Sequence, residues 1–143
     1  MYDAVSVAKY VINYCMKKAA PVTNLKLQKI LYYLWIEFYK ATGKPLFNNT
    51  IRAWPLGPVV PDVYDRFCAY GGLPIRQRFT SIEISLVDQT ILSDAIDELI
   101  RLPAFQLVNL THIPGKPWDR IYQNGRGRGC KIPFEMIIED ECD

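Results

Sequence analysis

The sequence predicts a mainly α-helical fold. It reads as one compact domain over 1–143, with about five to six helices around a central apolar helix (24–42) and a small β element at about 50–54 and 79–86. Three observations predict it. Apolar residues recur at helical spacing in most segments, glycines and prolines separate those segments, and 24–42 is apolar on nearly every face. At 143 residues, half of them hydrophobic and 22% charged, the chain has the size and composition of a single globular domain. No repeat or long linker divides it.

Taken in order, residues 4–18 place Ala4, Val7, Ala8, Val11 and Cys15 on one helical stripe, and Pro21 stops the pattern. Thr23 or Asn24 is placed to cap the second helix, which Gly43 ends. Its polar positions shrink to Lys26, Lys29, Glu37 and Lys40, among Leu25, Leu27, Ile30, Leu31, Leu34, Trp35 and Phe38. A loop over 44–61 contains a short strand candidate, NNTIRAW. Its expected partner is PIRQRFTSIEISL, where Phe79, Ile82, Ile84 and Leu86 alternate in part. Asp62 is the expected cap of a helix DVYDRFCAY, closed by Gly71-Gly72. Residues 88–101 form the next helix, and Pro103 separates it from AFQLVNL. Pro117 or Trp118 opens a helical turn running to Asn124-Gly125, and PFEMIIEDE makes the last helix.

Composition narrows the function. The apolar run ILYYLWI is far short of the ~20 residues of a membrane span, and no signal peptide is legible, so the expectation is a soluble cytoplasmic protein with no membrane partner. Cys15, Cys68, Cys130 and Cys142 form no CxxC pair, and His112 is the single histidine, so no metal or other cofactor is expected. Reduced, mostly buried thiols are expected instead. The net charge of +2 is unevenly spread: residues 1–78 hold eleven Lys/Arg against four acids, and 79–143 hold six against eleven. That polarity fits either a steered partner encounter or pairing between the two halves.

Signals for catalysis are weak. His112 belongs to no nucleophile or metal motif, so an enzyme is not expected. Gly125-Arg126-Gly127-Arg128-Gly129 lacks the strand and Lys-Ser/Thr of a phosphate loop and reads as a flexible basic surface loop. AFQLVNL carries no base and follows an acidic helix, which argues against a helix-turn-helix reader of DNA. A basic face from Lys9, Lys17, Lys18, Lys26 and Lys29, with Arg126 and Arg128, keeps a nucleic-acid-binding regulator as the alternative function, though nucleic acid is not the expected partner. The remaining feature is WPLGPVVP, where Pro55, Pro58 and Pro61 remove amide donors and stiffen an apolar loop. Two readings stand: a lid over the central helix, or a preordered surface for a protein partner.

VAKYVINY, TNLKLQKILYYLW, GKPLF, IRAWPLGPVVPDVYDRF and LTHIPGKPW, in that order, resemble the Panacea domain, the SocA-like antitoxin family of bacteria and phages, over about Val7 to Trp118. The resemblance implies a non-enzymatic antitoxin that neutralises a cognate toxin by direct binding, with delivery to a Clp-type protease as one route. It also admits a phage-associated role. Some members carry an added DNA-binding domain; none is expected here, because the chain starts near the first matching helix. A homo-oligomer stays open. Mapped onto this chain, the candidate partner-binding or signature residues are Gln28, Lys29, Trp54, Leu56, Gly57, Pro58, Val60, Pro61, Tyr64, His112 and Trp118. Partners so varied hardly share one contact set, so many of these residues are expected to hold the scaffold. In particular, Gln28 and Lys29 are expected to bind carbonyls of the proline loop.

Overall fold

Helix α2 (Asn24–Thr42) is the element on which the others are laid. Thr23 Oγ1 accepts from the Lys26 amide at 3.2 Å and starts it, while Gly43, at φ +70°, returns its amide to the Tyr39 carbonyl and ends it. Around it stand α1 (Ala4–Lys17), α3 (Pro61–Phe67), α4 (Leu86–Leu99), α5 (Ala104–Thr111), α6 (Pro117–Tyr122) and α7 (Phe134–Glu141). Strands β1 (Arg52–Trp54) and β2 (Gly57–Val59) complete the chain, and this computed structural model describes residues 1–143 throughout. The helices number seven, above the expected five to six, because prolines start α3, precede α5 and α7, and start α6 as separate short elements.

The core is continuous and centred on α2. Val7, Ala8, Val11 and Ile12 of α1, Leu92 and Ile96 of α4, Leu107 of α5 and Ile137 of α7 close on Leu27, Ile30, Leu31 and Leu34. Trp35 lies wholly inside this core. Its ring stacks between Tyr39 (5.5 Å between centroids) and Phe134 (4.9 Å), and its Nε1 donates to the Phe47 carbonyl at 2.9 Å.

The β element is present with a different partner. β1 pairs antiparallel with β2, in the register Arg52↔Val59, Ala53↔Pro58 and Trp54↔Gly57, and 79–86 forms no strand. The partial alternation there comes from packing: Asn13 on α1 brackets Phe79, donating to its carbonyl and accepting from its amide, each at 2.8 Å. The opposite edge of β1 is taken by 129–132, through Gly129 amide to Ala53 carbonyl, Ala53 amide to Cys130 carbonyl and Ile132 amide to Ile51 carbonyl.

Three local expectations are corrected. Val60, not Asp62, stands at the N-cap of α3, and the Asp62 carboxylate accepts from Asn49 instead. All four thiols are free, but only Cys15 is buried; Cys68 and Cys130 are exposed. The GRGRG loop is a fastened element, because Gly127 is buried against α6 with its amide on the Tyr122 carbonyl, and a Cβ there would fall 1.7 Å from the Ile121 carbonyl oxygen. No helix is long and apolar enough to cross a membrane.

Trp35→Ala removes two stacking contacts and a buried hydrogen bond, so it lowers the unfolding free energy by about 3–5 kcal/mol in urea titration. Lys40→Ala, on the exposed face of the same helix, changes it by less than about 0.5 kcal/mol.

Candidate functional site

Two neighbouring polar side chains of α2 fasten the proline loop. Lys29 is 0% exposed and donates from Nζ to the Pro58 carbonyl at 2.9 Å, as expected of it. Gln28 is 1% exposed and takes a different group: its Oε1 accepts from the Val60 amide at 2.9 Å. Its Nε2 donates to Asn24 Oδ1 at 3.0 Å, and Asn24 Nδ2 donates in turn to the Tyr64 carbonyl at 3.1 Å. Asn24 and Gln28 are one helical turn apart, so they meet on one face and carry the bond series from α2 to α3.

Helical spacing placed Lys29 in a polar stripe with Lys26, Glu37 and Lys40. The stripe splits in three dimensions. Glu37 and Lys40 are exposed and pair with each other at 3.7 Å, whereas position 29 turns under the folded-back loop. No carboxylate lies within ion-pair distance of Lys29, and burial pulls its ammonium down to about 7.

Gly57 is demanded by the same contact. Its φ of +118° suits glycine, and a Cβ would stand 2.7 Å from Thr111 Oγ1 and 3.0 Å from Lys29 Nζ. Thr111 is buried on α5 and donates to the Val108 carbonyl at 2.7 Å, so it cannot easily move aside.

An aromatic series holds the loop from its other side. His112 stacks on Trp118 at 3.7 Å between ring centroids, and Trp118 stacks in turn on Tyr122 at 4.5 Å. Trp118 Nε1 donates to the Trp54 carbonyl at 2.8 Å, and the Trp54 ring meets Tyr64 edge-on at 4.9 Å. His112 Nε2 is buried without a hydrogen-bond partner. Burial first, and the charge of Lys29 second, hold its pKa below the usual histidine value, although Asp119 opposes them.

The candidates that sequence spread from Gln28 to Trp118 thus meet in one region. Pro61 opens α3, and Val60, Pro58 and Gly57 are buried. Leu56, 54% exposed at the tip of the β1–β2 turn, is the one that faces solvent fully. Beside it lies a depression of about 260 Å³ walled by Leu25, Trp54, Leu56 and Tyr64, with Asn24 and Gln28 also lining it. No three His, Cys, Asp or Glu side chains gather here or elsewhere to hold a metal ion. The Lys-rich face read from the sequence does not assemble: Lys29 is inside, Lys26 donates to the Ile100 carbonyl at 2.9 Å, and Lys18 pairs with Asp97 at 3.9 Å. Sequence reasoning missed the bonds of Asn24, for which its spacing from Gln28 was the available signal, and it missed the docking of 129–132 on β1, for which there was none.

Fold and site define a small helical scaffold in which buried polar groups clasp a stiff apolar loop. Comparison with known proteins places it further. The profile described as "Antitoxin SocA-like, Panacea domain" matches residues 27–119. Antitoxin SocA of Caulobacter vibrioides (strain NA1000 / CB15N) is 37% identical over 152 aligned residues, which cover 93% of this chain and 80% of that protein. No solved structure matches. The chain belongs to the SocA-like antitoxin, Panacea domain, family.

The Lys29 pKa makes stability depend on pH. Between about 7 and the ordinary 10.5, the unfolded chain holds a proton on this amine that the folded chain lacks. Stability therefore rises with pH across that window, and below about 7 the cost of burying the charge is present in full. Lys29→Met flattens this slope, as urea titrations at a series of pH values will show. Gly57→Ala lowers stability by more than about 1 kcal/mol in the same assay, through its positive φ and the Thr111 contact.

Proposed function

We propose that the chain is an antitoxin that neutralises a cognate toxin protein in the bacterial cytoplasm by binding it directly, without a catalytic step. The observation that carries this reading is its 37% identity to Antitoxin SocA across 93% of the chain. Two features of the fold support it. The β1–β2 turn presents Trp54 and Leu56 on a loop already ordered by Lys29, Gln28 and Trp118, so little conformational entropy is lost when a partner lands. Lys29, Gln28 and the Trp118 indole are all engaged in holding the loop, which suits a binding surface better than a reaction centre.

Handing the toxin to a Clp-type protease would be an added step, and it separates cleanly from sequestration in the test. The chain is co-expressed with the small reading frames that flank its gene, each first tested alone for growth arrest. Growth is restored, and a stable complex elutes in size-exclusion chromatography. Rescue that persists in a host lacking Clp proteases assigns sequestration, and rescue lost there assigns delivery. Growth arrest that continues with the chain soluble and abundant overturns the antitoxin reading. His112→Phe keeps the stack on Trp118, removes both ring nitrogens, and leaves rescue intact.

A further inference from the structure

Next to the proline turn, the fold gathers four cations that are far apart in sequence. Arg52 lies on β1, Lys131 lies on the 129–132 segment that docks beside it, and Arg126 and Arg128 lie in the loop leading into that segment; all four are exposed. Arg52 and Lys131 are bridge partners across the two segments, and Arg52 Nη1 donates to the Gly129 carbonyl at 3.0 Å. The carriers are fixed: Gly127 is wedged against the Ile121 carbonyl, Cys130 donates its amide to the Gly127 carbonyl, and Gly129 bonds Ala53.

None of these four side chains has an acidic partner. The ion pairs of the molecule are Lys18–Asp97, Lys40–Glu37, Lys116–Glu141 and Arg120–Asp140, all elsewhere. Beside Arg128 opens a cleft of about 280 Å³ lined by Trp54, Pro55, Arg128 and Gly129, with Leu56 at the tip of the same turn.

We propose that this face docks an acidic segment of the toxin, whose carboxylates meet Arg52, Arg126, Arg128 and Lys131 while one apolar side chain enters the cleft beside Trp54 and Pro55. The partner's identity as a toxin rests on the antitoxin reading; the chemistry of the face does not. Unpaired exposed cations steer an acidic chain and select against a basic one, and the adjoining apolar cleft supplies an anchor that screening by salt does not weaken. A nucleic acid fits less well. Arg128 is the one cation lining the cleft, which makes a short track for a phosphate backbone, and acidic residues crowd α4 and α7 elsewhere on the surface.

The test uses the full chain and three fluorescent probes: a short peptide alternating Glu and Leu about a central Phe, the same peptide with Gln for Glu, and an oligothymidylate of equal charge. The Glu peptide binds, and the Gln peptide binds at least about tenfold more weakly. Arg128→Glu and Arg52→Glu each weaken the Glu peptide by a similar factor, and Lys17→Glu on α1 does not. Arg128 makes no side-chain bond in the fold, so its variant stays folded by circular dichroism even if Arg52→Glu does not. Equal binding of the Glu and Gln peptides, preference for oligothymidylate, or no loss in Arg128→Glu overturns the proposal. So does a dimer in solution that Arg128→Glu dissolves, which would give the face to a second copy. With the co-expressed toxin, full rescue by both Glu variants removes this face and leaves the antitoxin reading standing. Peptide binding as expected, with no toxin neutralised, removes the antitoxin reading and leaves the face.

Discussion

The hydrogen bond from Lys29 Nζ to the Pro58 carbonyl is the constraint from which the region around it follows. An amine with no solvent access and no carboxylate neighbour is expensive to bury in charged form, so its one acceptor must be held where the side chain ends. Holding Pro58 there brings the backbone of Gly57 against both Lys29 and Thr111 and leaves no room for a Cβ. The position of α5 is thereby tied to that of β2. Replacing Lys29 by an apolar residue removes the penalty on the ammonium but leaves the Pro58 carbonyl without this donor. The amine is thus balanced between two costs.

The loop is held from the other side by Trp118, whose indole bonds the Trp54 carbonyl while its ring lies between His112 and Tyr122. One clasp comes from α2 and the other from α6, so the β1–β2 turn between them has little freedom left. The three prolines act in the same direction, because they restrict the unfolded chain as well. The order of this turn is thus set within the fold, before any partner is met.

The parts of this arrangement legible in sequence were those set by local chemistry. Pro21, Thr23 and Gly43 bounded α1 and α2 nearly to the residue, because stops and caps act on their own neighbours. The Lys29 donation to the loop was also legible, since a lysine flanked by leucine, isoleucine and aromatics on a mostly apolar helix needs an acceptor. Its burial was not, because the polar stripe looks the same whether or not a loop folds over it. The strand partner was misread for a related reason. Alternation at Phe79, Ile82 and Ile84 records which side chains turn inward, and packing on α1 produces that as well as pairing does. Nothing local in GRGRG announces that Gly127 sits against a carbonyl of α6; only the tertiary contact reveals it.

The uneven charge of the chain had two explanations, pairing between its halves or a field left for a partner. The ion pairs argue against the first. Lys40–Glu37 lies within the basic half, and Lys116–Glu141 and Arg120–Asp140 lie within the acidic half. Only Lys18–Asp97 crosses from one to the other, at 3.9 Å between half-exposed groups, where such a pair contributes little. The halves therefore do not neutralise each other by contact. Within the acidic half, Lys116 and Arg120 are the bases taken up by the carboxylates of α7, and Arg101, Arg126, Arg128 and Lys131 are left over. Of these, Lys131 is the bridge partner of Arg52 in the basic half, and Arg128 precedes the Gly129 that bonds Ala53 on the same strand. A fold that leaves exposed cations unpaired beside an apolar cleft keeps their charge free to meet an acidic segment, so no internal ion pair has to break when one binds.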